Sequence, residues 1–90
     1  MNRQFTLTYG DRVLAICIRP VDEAWEFWLV ENGRELGLQA VLSIDDATKA
    51  RLAGAADPVA DVVASIRRRL ETGEIVLPAG ENGSPRIAAR

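Results

Sequence analysis

There is no histidine in this chain, and the commonest general base and the commonest metal ligand go with it. One cysteine, Cys17, is present, so a single copy builds neither an internal disulfide nor a zinc site of any standard donor set. The glycines stand apart at turns and helix ends rather than in a phosphate-cradling loop. No run reaches the ~18 apolar residues of a membrane span. The opening Met1-Asn2-Arg3-Gln4-Phe5-Thr6 mixes apolar with polar residues where a signal region would be continuously apolar. Neither sign of charge dominates: the net charge is −2, which gives no overall pull toward nucleic acid or anionic lipid. These absences predict a cytoplasmic protein that is not an enzyme, holds no metal or cofactor, contacts no membrane and takes no small-molecule substrate.

What is present describes one small folded unit. The chain has 90 residues, 48% of them hydrophobic and 27% charged, which suits a single globular domain with a modest core. We place that domain at residues 1–78 and a flexible tail at 79–90, where Gly, Asn, Ser and Pro concentrate.

In the first half the hydrophobic period is two. Phe5, Leu7 and Tyr9 alternate with Thr6 and Thr8 up to Gly10-Asp11, as in a half-buried strand. Residues 13–18 are apolar on both faces, which predicts an interior strand covered on both sides. Pro20 is expected to stop it, because proline donates nothing to a ladder. Residues 24–31 are rich in aromatic and β-branched side chains and read as a third strand. Asn32-Gly33 then signals a type I′ turn, whose two central positions both need positive φ. A fourth strand follows to about Leu42, with Leu36, Leu38, Ala40 and Leu42 expected on one face and Gly37 weakening it.

At Ser43 the period lengthens to that of a helix. Ser43 and Asp46 have the spacing of a capping box, with Asp in place of the usual Glu. Asp45 and Lys49 sit four apart in the favourable order, and Gly54 ends this short helix. Asp57-Pro58 starts a second helix with an N-cap acceptor and a proline at the first helical position. Its apolar stripe is Val59, Val62, Val63, Ile66 and Leu70, and Gly73 terminates it. Residues 74–78 supply a candidate short fifth strand. The fold predicted is α+β: two β-hairpins in a mainly antiparallel sheet, with two C-terminal helices packed on one face.

Three groups of residues invite a chemical reading. Cys17, between Ile16 and Ile18, reads as a buried structural thiol. Asp22, Glu23, Glu26, Glu31 and Glu35 lack the spacing of a calcium loop and read as a solvated edge or a patch for a basic partner. Arg67, Arg68 and Arg69 point about 100° apart around a helix, complementing its dipole. Arg67 and Arg68 flank the outer face and carry the alternative reading of this chain as a nucleic-acid-binding protein. Arg3, Arg12 and Arg19 would extend that surface, and Asp11, Asp57 and Asp61 dilute it.

The aromatics point elsewhere. Phe5, Tyr9, Trp25, Phe27 and Trp28 all fall among the strands. Trp25, Phe27 and Leu29 share one face of the third strand; Glu26, Trp28 and Val30 share the other. Helices covering the first face leave Trp28 and Val30, with one face of the second strand, uncovered, and an exposed apolar patch with a tryptophan marks an interaction surface. The function expected is a non-enzymatic protein-protein interaction module, a homodimer or a small inhibitor or adaptor. By size and charge alone it is comparable to phage-encoded inhibitors and antitoxins. Its expected partner-binding residues are Glu26, Trp28 and Val30, with Arg67 and Arg68. The segment Leu70-Glu71-Thr72-Gly73-Glu74-Ile75-Val76-Leu77-Pro78 resembles the end of HicB-type antitoxin domains over a tenth of the chain. The order of hairpins and helices departs from that family, and nothing is carried over from it.

Overall fold

The computed structural model describes residues 3–77; the expected tail at 79–90 lies outside them. Four strands follow one another: β1 (Arg3–Tyr9), β2 (Arg12–Val21), β3 (Ala24–Glu31) and β4 (Arg34–Ser43). Two helices complete the fold, α1 (Ile44–Leu52) and α2 (Pro58–Glu71). The sheet is antiparallel, with strand order β1-β2-β3-β4. The α+β class is therefore as the sequence predicts, and the two hairpins join into one meander because β2 also pairs with β3.

The local chemistry works as expected at most junctions. Asn32 and Gly33 hold φ of 52° and 78°, the two left-handed conformations that a type I′ turn needs. The Ser43 side chain accepts from the Asp46 N–H and caps α1. Asp57 Oδ1 accepts from Ala60 N–H at the start of α2, with Pro58 in its first turn. Lys49 Nζ lies 3.2 Å from Asp45.

Four expectations are corrected. Pro20 does not stop β2; it pairs with Trp25. The two-residue turn makes Val21 and Ala24 the hydrogen-bonded closing pair, so Pro20 falls at a non-hydrogen-bonded position. Its missing N–H would face the β1 side, where pairing reaches only Ile18 among the described residues. Strand β2 is interior to the sheet but is covered on one face only, and Val13 is 57% exposed on the other. In β4 the register shifts twice, between Phe27 and Trp28 and between Leu29 and Val30. Each bulge inserts one residue, so Leu36, Ala40 and Leu42 pack toward the core while Leu38 sits opposite Trp28 on the other face. Lastly, residues 74–77 form no strand; Ile75 and Leu77 pack against the core instead.

The core lies between one sheet face and α2. Leu7, Leu14, Ile16, Ile18, Phe27 and Leu29 meet Val59, Val63, Ile66 and Leu70, all buried. Those α2 positions recur at intervals of three and four and form the predicted stripe, with Val62 half-buried at its margin. Each fully buried side chain of this size stabilises the fold by about 1.5–3 kcal/mol. Helix α1 adds little: Ala47 is its one buried residue. Trp25, Phe27 and Leu29 thus face the helices as predicted, and among the described residues nothing covers the opposite face of the sheet.

Candidate functional site

The open face is assembled by register. Gln4, Cys17, Trp28 and Leu38 stand side by side across all four strands. One row away lie Thr6, Ala15, Val30 and Glu35; on the other side lie Arg19, Glu26 and Val41. Exposed apolar side chains run along it, with Leu38 at 43% and Val41 at 58%. Beside Val30, β2 offers only the small Ala15 and Cys17, and a shallow depression of about 440 Å³ lies there. Thr6, Val13 and the Asn32-Gly33 turn also line it.

Trp28 is half-buried at the centre and held from both sides. Its Nε1–H donates to Glu26 Oε1 at 3.0 Å. The Arg19 guanidinium lies over the ring, 5.1 Å from its centroid, in range for a cation–π attraction. Arg19 in turn pairs with Glu35. A chain of Glu35, Arg19, Trp28 and Glu26 therefore fixes the indole across the face.

At the turn end of the sheet, Arg12 Nε and Nη2 donate to Glu31 at 2.8 and 2.6 Å. These hydrogen bonds hold the Glu31 carboxyl below its ordinary range, outweighing burial, which acts the other way. The same bonds raise Arg12. Asp57 is lowered first by the Ala60 N–H and then, after a smaller opposing effect of burial, by Arg3.

Of the predicted residues, Glu26, Trp28 and Val30 are brought together, while Arg67 and Arg68 are not. Those two are exposed on α2, which packs on the covered face. The remaining arginines that would extend a basic surface are occupied: Arg3 with Asp57, Arg12 with Glu31 and Arg19 with Glu35. The acidic residues do not converge either, and no group able to hold a metal ion occurs among the described residues. Cys17 is corrected from buried to half-buried, on the open face opposite Trp28. Sequence reasoning missed Leu38, which the bulge between Phe27 and Trp28 turns outward, and Arg19, which shares a face with Trp28 by alternation along β2 and β3. No helix among the described residues is long and apolar enough to cross a membrane.

No family model, curated protein or solved structure matches the chain. The geometry of this face is therefore what a functional reading has to rest on.

Proposed function

We propose that this chain is a non-enzymatic protein-interaction module, acting in the cytoplasm as an adaptor or inhibitor through the open sheet face around Trp28. The observation that carries this is a half-buried indole fixed in one orientation beside the exposed Leu38 and Val41. Tryptophan is enriched among residues that dominate binding energy, which cluster centrally with a polar rim. Here Glu26, Arg19 and Glu35 are the rim. They also hold the ring before any partner arrives, which lowers the ordering cost of association.

Trp28→Glu places a charge at the centre of the face without touching the core on the far side. Immobilised wild-type protein is expected to retain a specific partner from a lysate of the native host, and the variant to lose it, with both giving the same circular dichroism spectrum. Equal recovery by a folded variant would sink the reading.

A further inference from the structure

The two edges of the sheet are unlike. Edge strand β4 carries two bulges, which twist an edge away from further pairing. Two of its carbonyls are also engaged by side chains: Gly37 O accepts from Gln39 Nε2 and Gln39 O from Arg69 Nη2, both at 3.5 Å. Edge strand β1 has none of these devices. Its seven residues pair with β2 in unbroken register, with no proline and with one charged residue, Arg3, at its start.

Which backbone groups of β1 face outward follows from its turn. Tyr9 and Arg12 close a two-residue loop and are a hydrogen-bonded pair, so every second residue from Tyr9 points to β2. Gln4, Thr6 and Thr8 therefore point their N–H and C=O away from the sheet. None of these groups finds a partner in turns or loops among the described residues. A regular edge of this kind is a template for another strand.

We propose that β1 pairs antiparallel with β1 of a second copy, Leu7 opposite Leu7 at a two-fold axis, so that two sheets become one of eight strands. The strand is complementary to itself in this register. Thr6 meets Thr8 twice, and these are the residues whose outward N–H and C=O groups must exchange hydrogen bonds. Phe5 meets Tyr9 on the covered face, an aromatic cross-strand pair. Both are part exposed in the single copy.

Charge supports the same axis. A groove of about 420 Å³ beside β1 is lined by Thr6, Leu7, Thr8, Arg67 and Glu71, so it centres on Leu7. Asp57, at the start of α2, contacts Arg3, so α2 runs in the same direction as β1. A two-fold axis through Leu7 then turns Arg67 of each copy toward Glu71 of the other. These residues are four apart on one helix, yet form no ion pair with each other within the copy. An isologous interface of this form closes as a dimer. It leaves the Trp28 face uncovered, so it stands or falls separately from the function proposed above.

The test is solution mass by light scattering across a concentration series for the wild type, Thr6→Pro and Trp28→Glu. Thr6→Pro removes an N–H that points away from β2, a site where an edge strand tolerates proline, so the single copy keeps its ladder. The wild type and Trp28→Glu are expected at twice 9.8 kDa and Thr6→Pro at 9.8 kDa. Hydrogen exchange on the wild type needs no variant: the Thr6 and Thr8 amides are expected to be protected together with the core. A wild type that stays single at every concentration overturns the proposal. So does a Thr6→Pro dimer, free exchange at Thr6 and Thr8, or a dimer that Trp28→Glu alone dissolves.

Discussion

Glu31 is 7% exposed, with both carboxylate oxygens on Arg12, and its pKa is held below the ordinary value. The unfolded chain therefore binds a proton more readily than the folded one. The stabilisation is complete above the unfolded value of about 4.3 and is lost as pH falls through the lower folded value. Asp57 is shifted in the same direction and adds to the same acid limb. Urea midpoints are expected to be level from neutrality to about pH 5 and to drop below about pH 4. Glu31→Gln removes the charge and leaves a part-buried guanidinium, at a cost on the order of 2–3 kcal/mol at neutral pH. The variant's midpoint should also fall less steeply in acid than that of the wild type. An unchanged acid limb would mean that Glu31 is not the group titrating there. At Cys17 the corrected placement is directly checkable: a thiol reagent is expected to label the native protein without denaturant, and partner binding at the Trp28 face to slow the labelling.

At the scale of elements, the sequence was most legible where one residue type has one local job. Asn32-Gly33, the Ser43 and Asp57 caps and the period of α2 were all readable, because each rests on neighbours within four positions. Pro20 and Leu38 were misread for a shared reason. Whether a proline breaks a strand depends on which side its N–H would face, and that is fixed by the length of the Asp22-Glu23 turn. Whether Leu38 faces the core depends on bulges that exist only against β3. Gly37 marks the place: it sits at the register shift with φ 153°, in a region other residues occupy at a cost of about 1–3 kcal/mol. Gly37→Ala is therefore expected to lower the urea midpoint, and a silent substitution would show that the bulge relaxes without glycine.

At the scale of the whole molecule, the division into a covered and an open face was legible from alternation alone. Trp25, Phe27 and Leu29 had to be buried if helices covered one side, and Trp28 had to be left. The arrangement around Trp28 was not legible, because Arg19, Glu26 and Glu35 come from three strands and meet only through register. The β1 edge was invisible for the same reason: Phe5, Leu7 and Tyr9 read as an ordinary strand until the other edge is seen to be bulged.

The meander with its two-residue turns bears on how quickly the chain finds its structure. Each strand pairs with its neighbour in sequence, so each ladder grows from a short loop with little closure entropy. Chains dominated by such local contacts fold quickly for their size. The exception is α2, which must travel back across the sheet to Leu7 and Arg3. If the sheet forms first and α2 docks last, Ile66→Val should cost about 0.5–1.5 kcal/mol, nearly all of it as faster unfolding. The helix that sets which face is open would then also govern how long the native state survives once formed.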